Sequence, residues 1–220
     1  IENTVIYSGT NQTVVAPNTG LLAYHNLIIN GTGAIFPSSL NITDNLTLNQ
    51  SIDFTGKTIA MTGMEPQIIS GAVAPAFNNL IINNTFGGVT LATNAAVNGT
   101  LTLTSGILDI GNYNLLLGAN AVSGSFSASN MVVANGTGEL RRSYTGTGSY
   151  TFPIGDMTDT VEYSPITVNI TAGTFSNAYL GVAVVDAIHP NNSSASNNIT
   201  RYWKVKESGI TGAVATIAAN

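Results

Sequence analysis

The sequence predicts an all-β protein: a right-handed parallel β-helix over residues 1–138, followed by an incomplete antiparallel β-sandwich over residues 139–220. Three observations carry this reading. A block of apolar residues bracketed by Asn recurs at long range. Apolar runs of three or four residues, each ended by Gly, Asn, Ser or Pro, follow one another through the first 135 residues. No segment keeps apolar residues at helical spacing for three turns, so helix is not expected.

The recurring block is Tyr24-His25-Asn26-Leu27-Ile28-Ile29-Asn30-Gly31-Thr32, which returns 53 residues later as Phe77-Asn78-Asn79-Leu80-Ile81-Ile82-Asn83-Asn84-Thr85. Downstream the offset becomes 55, placing Leu46-Thr47-Leu48 on Leu101-Thr102-Leu103 and Gly56 on Gly111. Short strands repeated at a long period mark a solenoid, because each unit buries its core only against the next. The connections are too short for crossover helices. Each strand should therefore pair in parallel with its equivalent one coil later, and chirality favours a right-handed winding. The period is expected to hold two or three coils, with Leu27, Ile29, Leu80, Ile82, Leu101 and Leu103 filling the interior. Asn belongs at the corners, where it tolerates left-handed backbone and its amides can stack in ladders.

The pattern changes near Asn135-Gly136-Thr137-Gly138. Residues 1–138 hold one basic residue, Lys57, whereas Arg141, Arg142, Arg201, Lys204 and Lys206 all follow. Strand-like runs also lengthen, at Leu140–Tyr144, Ser149–Ile154, Tyr163–Thr171, Ala178–Asp186, Thr200–Glu207 and Ala213–Ile217. Longer alternating strands separated by turns predict the sandwich. Within Arg201–Lys206, alternation puts Trp203 and Val205 on a core face and Lys204 and Lys206 opposite.

Composition narrows the function. Charged residues make up 8% of the chain, against about 25% in an ordinary globular protein. Asn, Thr, Ser and 23 Gly supply the polarity instead. A net charge of −5 offers nothing to attract nucleic acid or an anionic membrane. The absence of cysteine excludes disulfides and thiolate metal sites. No apolar run approaches the ~18 residues of a membrane span, so no membrane insertion is expected. Both ends read as strand, so the chain is expected to be a segment of a longer polypeptide, with the neighbouring segments as its first partners.

Several motifs together resemble a known family. They are Val5-Ile6-Tyr7-Ser8-Gly9-Thr10-Asn11-Gln12-Thr13-Val14, the two blocks above, Val97-Asn98-Gly99-Thr100-Leu101-Thr102-Leu103, and Gly138-Glu139-Leu140-Arg141-Arg142. The last leads to Tyr150-Thr151-Phe152-Pro153-Ile154-Gly155-Asp156, followed later by Arg201-Tyr202-Trp203. The chain resembles the repeat region of giant secreted cell-surface adhesins of Bacteroidota. That resemblance implies export by the type IX secretion system, an extracellular location on the bacterial cell surface, and a part in adhesion or gliding motility. It also implies partners in the export and motility machinery, and a β-helix followed by an immunoglobulin-like module.

Catalytic chemistry is weighed on the same residues. A lyase acting on uronates needs cations and a tuned base, and Lys57 is the lone cation of the first 138 residues. A glycoside hydrolase needs two carboxyl groups about 5–9.5 Å apart, yet Asp44, Asp53 and Asp109 are scattered. His25 reads as a corner residue and His189 as part of a loop, neither with a nucleophile at a usable spacing. No cofactor and no catalytic residue are therefore expected, while exposed Asn, Thr and Tyr offer weak polar contacts to surface glycans. Asp156, Asp159 and Glu162, close together in one turn-rich loop, are calcium-ligand candidates, because calcium collects several oxygens. Asp159-Thr160-Val161 resembles the Bacteroidota O-glycosylation site, which would place a glycan on Thr160. Thr100, Thr102 and Thr104 share a strand face, as in ice-binding solenoids, but the equivalent stretch Asn45–Asn49 does not continue the array.

Overall fold

Strands of two to five residues are too short to stand alone, and here each satisfies its backbone groups against the strand one turn away. The computed structural model describes residues 3–15, 23–36, 39–120, 122–194 and 196–219. Among them there is no helix, and a parallel β-solenoid of about seven turns is built from three sheets. The first sheet runs Thr4–Tyr7, Asn26–Ile29, Leu46–Leu48, Gln67–Ser70, Val89–Leu91, Leu108–Asp109, Val132–Val133 and Ile154–Asp156, all parallel, and closes on antiparallel Glu162–Tyr163. The second begins with Ala76–Phe77, Ala95–Val97, Leu115–Leu117 and Leu140–Tyr144. The third runs Ala23–Tyr24, Leu40–Ile42, Thr58–Met61, Asn79–Asn83, Leu101–Ser105 and Ser123–Gly124.

Register explains the core. Leu27 pairs Leu46, Leu46 pairs Ile69, and Ile69 pairs Leu91, so one column of apolar side chains climbs the first sheet. A second column runs from Val89 through Leu108 and Val132 to Ile154. In the third sheet, Leu40, Ile59, Leu80 and Leu101 stack in the same way. All these side chains are buried, and each contributes roughly 1.5–3 kcal/mol. In the lower turns, up to the first strand of the second sheet, Phe36 and Phe54 lie with ring centroids 5.1 Å apart, and Phe54 and Phe77 are also 5.1 Å apart. Aromatic bulk fills the width there.

The Asn corners form ladders of a particular kind. The side-chain oxygen of Asn26 accepts from the Asn45 N–H, and that of Asn45 accepts from the Ile68 N–H at 2.8 Å. Asn94, Asn114 and Glu139 repeat the arrangement on another corner. Each amide thus ties the backbone of one turn to the next. Buried Gln67 does more: its Nε2 donates to the carbonyls of Ile42 (3.0 Å) and Asp44 (2.7 Å), while Oε1 accepts from the Gly63 N–H (2.8 Å).

The long repeat holds between two and three turns, within the two or three coils expected, but its copies do not sit on the same side of the coil. Register offsets run from 18 residues (Ala23 to Asn41) to 25 (Leu115 to Leu140), so a turn is far shorter than 53. Leu27 lies in the first sheet and Leu80 in the third. The 53-residue offset is therefore two turns and two further sides, and the copies are equivalent as strands but not as positions around the coil. Each copy pairs with the strand one turn on in its own sheet, Leu27 with Leu46 and Leu80 with Leu101.

The C-terminal part also departs from expectation. Parallel pairing continues past residue 138, with Leu115 on Leu140 and Val132 on Ile154. The expected strand Ser149–Ile154 is divided at Pro153, which has no N–H to give a ladder: Gly148–Phe152 joins the second sheet and Ile154–Asp156 the first. Two pairs of expected strands fuse into two long ones, Ile166–Val185 and Tyr202–Ala219. Ile166–Val185 pairs antiparallel with Gly148–Phe152 near its start, with Leu140–Tyr144 near its end, and with Tyr202–Ala219 along its other edge. These strands extend the solenoid's own second sheet, and a separate immunoglobulin-like sandwich is not seen among the described residues. The alternation at Trp203 does hold. Trp203 and Val205 pack on the core, Lys204 and Lys206 are exposed, and the indole N–H donates to the Ser164 carbonyl at 2.9 Å.

The two kinds of amide should differ in weight. Gln67→Leu strips the partner from the Gly63 N–H and the Asp44 carbonyl, the Ile42 carbonyl keeping the Thr62 N–H, and should destabilise by about 3 kcal/mol, whereas Asn45→Ala frees one N–H beside solvent and should cost about 1 kcal/mol. Urea denaturation of both variants measures this, and equal midpoints would contradict the assignment.

Candidate functional site

Titratable groups are so few that their meeting places mark the chemistry available. The densest lies where the first sheet ends. Asp156 sits opposite Glu162 in the antiparallel pair, and Arg201, just before the last long strand, reaches back over both. One guanidinium nitrogen bonds the Glu162 carboxylate, and the other bonds the Ser164 hydroxyl and lies 3.9 Å from Asp156 Oδ2. Asp156 is fully buried. Its Oδ1 accepts from the Thr158 N–H at 3.2 Å, and its Oδ2 has no hydrogen bond. Burial pushes its carboxyl above the ordinary carboxylate range. The charges of Asp186 and Glu162 push the same way, outweighing the opposing pull of the Thr158 N–H and Arg201.

Of the three calcium candidates, the fold therefore joins Asp156 and Glu162 but not Asp159, which is exposed at a turn with φ of 56°. The cation between the two acids is a guanidinium. Among the described residues no group of three His, Cys, Asp or Glu side chains converges as a metal site requires. Thr160 is exposed in the same turn. The other acids named from sequence are held separately. Asp44 pairs with His25 at 3.2 Å, Asp53 accepts from the Thr55 N–H at 2.8 Å, and Asp109 accepts from the Gly111 N–H at 2.9 Å. His189 accepts from the Asn191 N–H in its loop. Thr102 lies beside Ile81 and Ser123 in register, so threonine does not form an array across turns.

Two features were invisible in sequence. Arg142 lies between the rings of Tyr144 and Tyr150, 4.6 and 4.5 Å from their centroids, and burial holds the Tyr150 phenol up to about 12 despite that charge. Nearby, Arg141 stacks 4.7 Å from the Tyr179 ring centroid and pairs with Glu139 at 2.7 Å, beside an open cleft of about 450 Å³ lined by Ser143, Phe175 and Asn177. A second open cleft, of about 360 Å³, crosses the outside of the solenoid at Phe86, Thr90, Asp109, Ser129 and Met157. Phe86 and Met157 are both exposed there. The one sequence signal for this cleft was a large aromatic between Asn84-Thr85 and Gly87-Gly88, where a turn ordinarily carries small residues.

No protein-family profile, curated protein or solved structure matches this chain.

The buried carboxylate gives a pH prediction. A carboxyl whose folded-state pKa is raised is stabilising when protonated, and that contribution is lost as pH rises through the raised value. Acidification from pH 7 toward about 4 should therefore stabilise the native chain relative to Asp156→Asn. At pH 7 the variant should melt higher, because Arg201 keeps Glu162 and Ser164. Thermal melts of both proteins across that range check the sign; a variant that melts lower at pH 7 would contradict it.

Proposed function

We propose that the chain is a non-catalytic structural segment of a large bacterial cell-surface adhesin, acting as a stalk or adhesive surface in attachment or gliding motility. The observation that carries this is the continuous parallel stack, tied turn to turn by apolar columns and Asn amides, with an exterior rich in neutral polar groups. Such a stack transmits load along its axis through many small, equivalent contacts. In this reading the segment is extracellular and exported by type IX machinery. Its partners are neighbouring segments of the same polypeptide, the export and motility machinery, and surface glycans. The long antiparallel strands would be the start of an immunoglobulin-like module.

The rival reading is a carbohydrate-active β-helix. Hydrolysis needs two acids facing one substrate, and Asp53 and Asp109 each cap their own turn while Asp44 pairs with His25. Glycan binding without cleavage is the part of that reading compatible with the adhesin.

Antibodies raised against the segment test the proposal on intact cells of the organism that makes it. Surface labelling and reduced attachment to glycan-coated surfaces are expected. Unlabelled intact cells, or polysaccharide cleavage by the purified chain, would overturn it.

A further inference from the structure

The Phe86 cleft is built, and what builds it is a fully buried Asn. Asn84 donates from Nδ2 to the Glu65 carbonyl (2.6 Å), Gln67 Oε1 (3.1 Å) and the Gly88 carbonyl (3.3 Å), and its Oδ1 accepts from the Phe86 N–H (3.0 Å). Its own N–H donates to the Ser105 carbonyl at 2.9 Å. The turn is also clamped from outside. At Gly106 (φ +91°) a Cβ would lie 1.8 Å from the Asn84 carbonyl oxygen, and at Gly88 (φ +67°) one would lie 2.5 Å from the Ile107 carbonyl oxygen. Yet the side chain this rigid turn presents, Phe86, is 67% exposed. The network fixes the backbone that carries this ring, so the backbone share of the ordering entropy is already spent before any ligand arrives.

Around the ring, Met157 offers a second apolar surface, Thr90 and Ser129 offer hydroxyls, and Asp109 offers a carboxylate. Gly111 takes one oxygen of Asp109, and among the described residues no ion pair takes the other. None of the described residues lining the cleft is a cation, which selects against phosphorylated or acidic ligands. Asp109 is the one acid among those described residues, too few for glycosidic cleavage. A flat apolar surface beside hydroxyls and a carboxylate acceptor matches a pyranose ring, whose C–H face is apolar and whose rim donates hydrogen bonds.

We propose that this cleft binds a neutral hexose unit of a glycan, with the sugar face on Phe86 and its hydroxyls on Asp109, Thr90 and Ser129. This rests on the adhesive reading above and assigns it a site.

The test is titration calorimetry of the whole chain with gluco-, manno- and galacto-oligosaccharides, with tetramethylammonium as a cationic control, on wild type, Phe86→Ala and Asp109→Asn. The wild type should bind at least one oligosaccharide more tightly than tetramethylammonium, and each variant should lose about tenfold in affinity. Phe86→Ala should melt with the wild type, because its ring is exposed. Absence of sugar binding by the wild type, a preference for tetramethylammonium, or variants that bind as well as wild type would each overturn the site. Surface labelling of intact cells stands apart from all three results, so loss of the site and loss of the adhesin reading are distinguishable.

Discussion

Everything in this molecule depends on the closure of backbone hydrogen bonds between one turn and the next. A strand such as Leu108–Asp109 contributes two residues to the ladder, far below what an isolated strand needs to persist. It persists because Val89 lies on one side and Val132 on the other in strict register. An unpaired buried backbone group costs about 1–3 kcal/mol, so a slip at one turn is resisted by both neighbours. The side-chain amides obey the same constraint. Where a corner leaves an N–H without a carbonyl partner, Asn45 or Asn114 supplies one from the turn before.

That constraint also accounts for the unusual surface. A chain whose stability comes from ladders and apolar columns has no need of surface ion pairs, which contribute about 0–1 kcal/mol each in any protein. Charge is concentrated instead where the regular stack gives way. Glu139 with Arg141, Arg142 between its tyrosines, and Arg201 with Glu162 all lie at the junction with the long strands. Cations there do what Asn does lower down: they tie together elements that no longer repeat.

Which parts of this were legible in sequence follows from range. The apolar triplets and their alternation are local, and they located strands at Leu27–Ile29, Leu46–Leu48 and Leu101–Leu103, their buried residues and the face of Trp203, while strands of two residues such as Ala76–Phe77 and Val132–Val133 carry too little pattern to be seen. The Asn corners were legible for the same reason. The turn length was not, because the clearest repeat, Leu27–Ile29 on Leu80–Ile82, joins strands on different sides of the coil. Any side can carry the same triplet, since every side faces the same apolar interior. The fusion of expected strands into Ile166–Val185 was hidden as well: Gly173 and Asn177 read as turns, but the strand absorbs them as irregularities in its pairing. Of the charged cluster, sequence found Asp156 and Glu162 but not Arg201, which lies nearly forty residues on. The Phe86 cleft needs four separate turns to be stacked before its walls meet.

A stack of parallel strands has one unavoidable weakness, the open edge of its final turn. Here two of the three sheets resolve it by reversing direction. Glu162–Tyr163 covers Ile154–Asp156, and residues 178–182 cover Leu140–Tyr144, both antiparallel. Reversal suits the purpose because an antiparallel partner needs only a short turn or a bulge, where another parallel strand would need a full coil. It moves the edge rather than removing it. The outer border becomes Tyr202–Ala219, where Lys204 and Lys206 guard one end in the way natural edges are blunted, while Val214 and Ile217 stand exposed at the other. The row Tyr150, Val168 and Ile217 shows the consequence: three paired apolar residues share one face, the first two buried and the third 56% exposed. The core therefore thins toward this border, and the uncharged end of the last strand is held mainly by its ladder to Ile166–Val185.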